Sequence, residues 1–400
     1  MNGSGHTVVR IDHKCSFDRS MTLCKVMSLR TCVTALLGGL LSVVDPSPSP
    51  AQRAPADLEA MPFAPRRYVA YRAPSRLNVD GKLDEPGWAA APWSDPFIDI
   101  EGDSRRRPRF RTRAKMLWDD EHFYVAAEME EPDVWGTLTE RDSVIFHDND
   151  FEIFIDPDGD THAYYELEVN ALGTPWDLML ITPYRDGGPA IHAWDIAGLQ
   201  VGVDVRGTLN RPGDADEGWT VEIAMPWKIL REAAPDHKPP RPGDRWRVNF
   251  SRVEWQVDVS GGRYAKRLKP GTQDLLPENN WVWSPQGAID MHMPERWGYV
   301  QFSNVRAGSG TDAFVEDPNE RVKWALRRLY YRQRRVRDAT GGYAATLEAL
   351  NASDIRPIGV DGIDFHPVMH ATTTRYEITA KGFDGAVVHI SQDGRVWVTR

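Results

Sequence analysis

Past residue 32 the chain has no cysteine: of 400 residues only Cys15, Cys24 and Cys32 are of this type, all near the start. That removes a disulfide framework, a cysteine–metal centre and a thiol nucleophile from the rest of the protein. Basic charge is also in deficit, 48 Lys and Arg against 58 Asp and Glu, for a net charge of −10. The basic footprint that a phosphate backbone requires is missing, so nucleic acid is excluded as the main partner. Long apolar runs are scarce. The single strong one, CVTALLGGLLSVV (Cys32–Val44), follows Arg30 and has the length of a signal-peptide core rather than of a bilayer span. Small residues suited to cleavage come next, near Ala51 or Ala54. Residues 1–50 therefore read as a leader with a secretory signal, and a short N-terminal membrane anchor is the competing reading. The residues before Met27 are unlike the basic start of a signal, so Met21 and Met27 offer alternative starts. The expected location is secreted, periplasmic or cell-surface, with no stable membrane insertion after signal removal. Also missing are the G-x-S-x-G, H-E-x-x-H and P-loop signatures.

Residues 51–66, rich in Pro, Ala and Arg, read as a linker. From Tyr68 the pattern becomes short segments of period two. Phe123, Val125, Ala127 and Met129 alternate with polar or small neighbours, as do Phe151, Ile153 and Ile155, then Tyr165, Leu167 and Val169, then Trp219, Val221 and Ile223. Turn pairs such as Asp80-Gly81, Asp158-Gly159 and Pro242-Gly243 separate them. This pattern predicts an all-β domain over 67–306, an antiparallel β-sandwich of jelly-roll type. After Gly308 the character changes. DPNERVKWALRRLYYRQRRVRDATGG predicts a helix with Asp317 as N-cap, Pro318 at the first position, Glu320 completing a capping box and Gly341-Gly342 as the stop. A short helix over 343–350 and two or three strands then complete a small α+β module over 309–400. The arginines of the long helix (Arg327, Arg328, Arg332, Arg334, Arg335, Arg337) read either as an anion site or as a solvated face balancing an acidic partner domain.

Five stretches occur in order: LNVDGKLDEPGWAAAPW (Leu77–Trp93), KMLWDDEHFYVAAEMEEPD (Lys115–Asp133), DNDFEIFIDPDGD (Asp148–Asp160), YYELEVNALGTPWD (Tyr164–Asp177) and GWTVEIAMPW (Gly218–Trp227). Together they resemble the family 9 carbohydrate-binding module and its relatives in secreted bacterial proteins, over roughly residues 69–302; the C-terminal module lies outside the match. The resemblance implies a β-sandwich, affinity for sugars, attachment to glycan-degrading systems and, in some members, structural calcium. It also implies two aromatic rings clamping a terminal sugar. The first would come from just before the Asp150 strand, where this chain has Phe146-His147 and no Trp, and the second from late in the domain, where Trp281 and Trp283 stand.

A pyranose offers an apolar face of C–H groups and a rim of hydroxyls, so its sites pair flat aromatic rings with carboxylates, amides and Arg. By that criterion the binding candidates are Trp176, Asp177 and Trp194 on loops, Glu166, Glu168 and Asn170 two apart on one strand face, Arg141 and His147 near the first clamp position, and Trp281 and Trp283 near the second. Asp156, Asp158 and Asp160 place oxygens at alternate positions, as the start of a calcium loop does, but the position where an EF-hand has its bidentate Glu is Leu167. Two readings stay open there: a turn-bound calcium, or a hairpin turn with solvated acids. No other cofactor is expected.

The resulting expectation is non-catalytic binding of an oligosaccharide or polysaccharide. Three alternatives accompany it. Glu152, Glu166, Glu168 and Glu222 could supply the carboxylate pair of a glycoside hydrolase. The C-terminal module could bind a protein partner in a surface-assembly or adhesion role. Met291-His292-Met293 would suit a haem, although no C-x-x-C-H attachment motif is present.

Overall fold

The computed structural model describes residues 58–359 and 364–400. The leader, its three cysteines and the first part of the expected linker lie outside these residues. No described helix is long and apolar enough to cross a membrane.

Alternating residues Thr112–Trp118 and His122–Glu130 form a hairpin around Asp119-Asp120, with Asp119 Oδ1 accepting the N–H groups of Glu121 and His122. Thirteen strands built on such pairings make one continuous sheet. From one edge its main path runs Ala190–Ile191, Pro175–Leu180, Tyr164–Asn170, Asp150–Asp156, Arg245–Glu254 and Gly298–Arg306. It continues through Arg67–Arg72, Thr112–Trp118, His122–Glu130 and Gly218–Pro226 to Gln200–Arg206. The sheet folds over, so Phe151, Ile153, Leu167 and Phe250 from one half meet Val125, Ala127, Trp219 and Val221 from the other in a single apolar core. This is the expected sandwich, with one departure: Arg67–Arg72 runs parallel to both its neighbours. It stands at the fold-over, where the chain enters from outside the sheet and is not constrained by a hairpin.

Two of the sequence stretches are locked together by one carboxylate. Glu222, in GWTVEIAMPW, is buried and accepts the Asp80 N–H at 2.9 Å and the Gly81 N–H at 2.7 Å on one oxygen, and the Trp88 indole N–H on the other. Gly81 has φ +91, and a Cβ there would lie 2.4 Å from the Val203 carbonyl carbon. The corner expected at Asp80-Gly81 therefore exists, and Glu222, weighed above as a catalytic acid, is consumed in holding it.

The C-terminal segment forms a 22-residue helix, Asn319–Thr340, laid on a four-stranded sheet of Val368–Ala371, Tyr376–Lys381, Val387–Ser391 and Val396–Thr399. Asp317 caps it through the Asn319 N–H at 2.9 Å, and Gly341 ends it at φ +80. The capping box does not form. Glu320 turns instead to Arg247 at 2.9 Å, the Tyr299 hydroxyl at 2.7 Å and Lys323 at 2.8 Å. Nor does the short helix at 343–350, which is a series of turns.

The helix is buried on two sides. Val322, Leu326 and Leu329 join Ile378, Val388 and Ile390, and this core also takes Leu58, Phe63, Ala288 and Met293. Residues 58–66, expected as linker, are packed for this reason: Phe63 stacks on Trp324 with centroids 4.9 Å apart. The arginines balance acidic residues outside the helix, and Arg335 and Arg337 remain exposed. Arg334 pairs with Asp186, Arg332 and Arg335 with Glu59, Arg332 also with Asp354, and Arg337 with the Tyr343 hydroxyl; Arg327 is buried against Tyr330 and donates to Thr161.

Two outcomes follow from these ties. Glu222→Ala leaves three N–H donors, two of them buried, without an acceptor and is expected to cost about 3 kcal/mol, read as a lowered midpoint in urea unfolding. For Glu320, burial raises the carboxyl's pKa, but Lys323 and Arg247 outweigh it and hold it at about 2. A depressed acid contributes stability that is complete above its unfolded value of 4.5 and lost as pH falls toward 2. Melting temperatures of the wild-type chain and Glu320→Gln should therefore differ at pH 7 and converge by about pH 2.

Candidate functional site

Residues directly opposite in an antiparallel pair share a face. In the hairpin of Asp150–Asp156 and Tyr164–Asn170 the register sets Asp150 against Asn170, Glu152 against Glu168 and Phe154 against Glu166. Ser251 of the next strand stands opposite Glu152, and Trp176 stands opposite Glu168. Phe151, Ile153, Ile155, Leu167 and Val169 take the other face and enter the sandwich core. The outer face thus carries Asp150, Glu152, Glu166, Glu168 and Ser251, all buried. This cluster and its rim form the candidate site.

The carboxylates are held unevenly. Glu168 accepts the Phe146 N–H at 2.9 Å, and Asp150 accepts the Val253 N–H at 3.1 Å on Oδ1. Asp150 Oδ2 completes no hydrogen bond, while the Ser251 hydroxyl acts on the Glu152 carboxyl as a side-chain hydrogen-bond partner. One oxygen from each of Asp150, Glu152 and Glu168 lies within 4.8 Å of the others. Burial pushes Glu152 up to about 7 and raises Asp150, Glu166 and Glu168 well above the usual carboxylate range, with the neighbouring carboxylates adding to the rise of these three.

Aromatic rings border the acids. Trp176 stacks on His192 at 5.7 Å and 12°, and tilts toward Phe146 at 6.5 Å. Tyr184, about half exposed, packs edge-on to His292 at 4.5 Å, and its hydroxyl is raised to a high pKa first by burial and then by the charges of Glu166 and Glu168. His147 packs edge-on to Phe146 at 4.8 Å; burial and then Lys266 lower its pKa. Lys266 itself lies over the Trp255 ring at 3.6 Å.

Of the residues expected from sequence, the structure brings Glu166, Glu168 and Trp176 together here, with His147 beside Phe146. The others are placed differently. Asn170 is buried and fully engaged: its amide donates to the Leu138 carbonyl and to Asp148, and its oxygen accepts from Leu172 and Thr174. It closes a turn and has no valence left for a ligand. Trp281 and Trp283 are buried in the sandwich core, Trp281 beneath Arg252 and Trp283 against Phe250, so neither can be the second ring of a clamp in this structure. Trp194 stacks on Tyr165 at 4.7 Å, on the opposite face of the sheet, with its indole N–H on Glu232. Asp177 is buried and accepts from Arg141 and from the Ile196 N–H, while Arg141 also reaches Asp195 at 3.3 Å. This pair is a self-satisfied ion pair at the sheet edge. Met291, His292 and Met293 are buried packing, with His292 bonded to the Tyr164 hydroxyl at 2.9 Å.

Asp156, Asp158 and Asp160 also lie within 4.8 Å of one another. Both Asp156 oxygens already accept N–H groups, from Gly159 and Thr161, and Asp160 accepts from His162 and from Arg395 at 2.8 Å. A calcium here, one of the two readings left open, would compete with these donors, above all with the Arg395 guanidinium.

Sequence reasoning missed Asp150, Ser251, Tyr184 and His192 as site residues and had Glu152 only as a catalytic candidate. Glu152 carried a signal, since it alternates with the core residues Phe151 and Ile153. The remaining four depended on strand register or on a loop with no period.

Residues 79–239 match the family model described as carbohydrate family 9 binding domain-like. Among solved structures, the chain is similar to a family 9 carbohydrate-binding module from Caldicellulosiruptor kristjanssonii in complex with cellotriose, at 16% identity, 62% coverage of this chain, 99% of that one and a TM-score of 0.39. The same module in complex with glucose matches at 16% identity, 63% and 100% coverage and a TM-score of 0.39. A Bacteroides uniformis crystal structure matches at 14% identity, 60% and 100% coverage and a TM-score of 0.43. A search of curated proteins returns no match. The matched span takes in the five ordered stretches all but completely, so residues 79–239 of this chain are similar to the carbohydrate family 9 binding domain-like family.

Proposed function

We propose that the outer face of this hairpin and its rim bind carbohydrate without chemical conversion, in a protein exported for glycan capture or degradation. One observation carries the reading: flat rings, Trp176 with His192 and Tyr184, border buried carboxylates that have few protein donors. Glu168 accepts the Phe146 N–H, and the hydrogen-bond partners of Glu152 and Glu166 come from within the cluster, Ser251 and Glu168. Sugar hydroxyls are the donors such acceptors lack, and the C–H face of a pyranose is the partner of such rings. The family match supports the same ligand class. Export rests on the Cys32–Val44 run.

Isothermal titration of the full chain against cello- and xylo-oligosaccharides and sulfated glycans tests this. Binding is expected, and Trp176→Ala should weaken it by about tenfold or more, the equivalent of about 1.4 kcal/mol. A folded protein that gives no heat across the panel would count against the proposal. The closeness of Glu152 and Glu168, with Glu152 pushed up to about 7, favours a second reading as a retaining glycoside hydrolase. That reading requires reducing ends to appear from the same polymers and to vanish in Glu152→Gln.

A further inference from the structure

A cavity of about 350 Å³, within the size range of small-molecule sites, opens where the long helix begins against the sandwich. It shares no residue with the carboxylate cluster and its rim. Its walls come from residues within 63–67, 158–159, 235–247 and 314–323, together with Tyr299.

In a chain of net charge −10, this cavity reverses the balance: seven Lys and Arg border it against five Asp and Glu. The five acids are all engaged. Glu320 accepts from Arg247 at 2.9 Å, Lys323 at 2.8 Å and the Tyr299 hydroxyl at 2.7 Å. Glu316 is in direct contact with Arg67, Asp317 accepts the Asn319 N–H at 2.9 Å, and Asp244 accepts the Arg241 N–H at 2.7 Å. Asp158 accepts the Asp160 N–H at 3.2 Å and feels the Lys323 charge. The cations are not all engaged. Lys238 and Arg241 lie 3.7 and 3.6 Å from one shared carboxylate, Asp236, too far for a hydrogen bond, and their side chains bond to no other described residue. Arg245 gives Nη1 to the Val315 carbonyl at 2.8 Å, but its Nη2 lies 3.9 Å from Asp317. Three cations with donors to spare therefore border one cavity.

Aromatic rings complete the lining. Arg247 lies over Tyr299 at 3.9 Å, and Arg67 lies over Phe314 at 5.5 Å. The Tyr299 and Phe314 centroids are 6.2 Å apart. Phosphate, sulfate and carboxylate groups are the natural acceptors for Lys and Arg donors left over in this way, Arg offering them a planar pair of N–H groups. A flat apolar body joined to such a group can pack against the rings.

We propose that this cavity binds a small organic oxyanion, its phosphate, sulfate or carboxylate held by Lys238, Arg241 and Arg245 and its flat apolar body packed against Phe314 and Tyr299. The sandwich supplies these cations and the segment before the helix supplies Phe314, so neither forms the site alone. The site is independent of the carbohydrate reading.

Calorimetry on the full chain at low ionic strength, where exposed cations are least screened, tests this. The probes are phenyl phosphate, benzenesulfonate and benzoate, with inorganic phosphate and sodium chloride beside them. One of the three aromatic anions should bind at one site per chain, and the tightest identifies the oxyanion. Inorganic phosphate should bind about fivefold or more weakly than phenyl phosphate, because it lacks the ring contact. The double variant Lys238→Gln, Arg241→Gln should weaken the tightest anion by about fivefold or more. Both side chains are exposed and carry no hydrogen bond of the fold, so this variant should melt with the wild type. Failure of the folded wild type to bind any of the three aromatic anions would overturn the proposal, as would unchanged affinity in the double variant. Equal affinity for phenyl phosphate and inorganic phosphate would overturn the part given to the rings and uphold the oxyanion site.

Discussion

The pairing of Asp150–Asp156 with Tyr164–Asn170 sets two opposite surfaces a strand's thickness apart. On one face Phe151, Ile153, Leu167 and Val169 fill the sandwich core. On the other, Asp150, Glu152, Glu166 and Glu168 stand together beneath aromatic rings. Because side chains alternate with period two, a slip of one residue would send the carboxylates into the core and the Phe and Ile side chains outward. The apolar face therefore enforces the register, and the register assembles the acids. Stability and the candidate site depend on the same set of pairings.

Elsewhere among the described residues several buried charges have close partners. Glu222 gathers three N–H donors and joins the start of the domain to one of its central strands. Glu295 meets Arg185 at 2.8 Å and the Tyr331 hydroxyl, and Glu320 meets Arg247 and Lys323. Many of these partners come from the helix Asn319–Thr340, so its arginines and tyrosines anchor the helix to the sandwich. Against this pattern, the cluster around Glu152 is an exception, and buried charge without a partner is more common at sites that receive a ligand than in passive structure.

The strands were legible because half-buried strands display their alternation directly: Phe123 to Met129 and Trp219 to Ile223 lie where the pattern puts them. The long helix was legible from Asp317, Pro318 and the glycines after it, although Glu320 left its capping role for Arg247, a partner more than seventy residues away in the chain. Tryptophan was the weakest guide. Trp281 and Trp283 sit among polar loop residues in the sequence, yet the strand Asn279–Val282 pairs with Arg245–Glu254 and carries them into the core. Asn170 was misread for a related reason: its strand position marks it as polar and facing outward, but the turn after it uses every hydrogen bond the side chain can make.

The amino-acid order alone determined the class of the fold, most of its strands, the helix and its ends, and the carboxylates and rings from which a site could be made, since these follow from local periodicity and turn chemistry. Which of those groups meet was decided by the tertiary structure. Between Asp156 and Tyr164 the chain takes a wide turn, with Gly159, Thr161 and Ala163 at positive φ, and not a tight hairpin at Asp158-Gly159. The length of that turn sets Glu152 opposite Glu168. No local rule specifies it, because it is fixed by how both strands seat their apolar faces in a core drawn from the far half of the sheet.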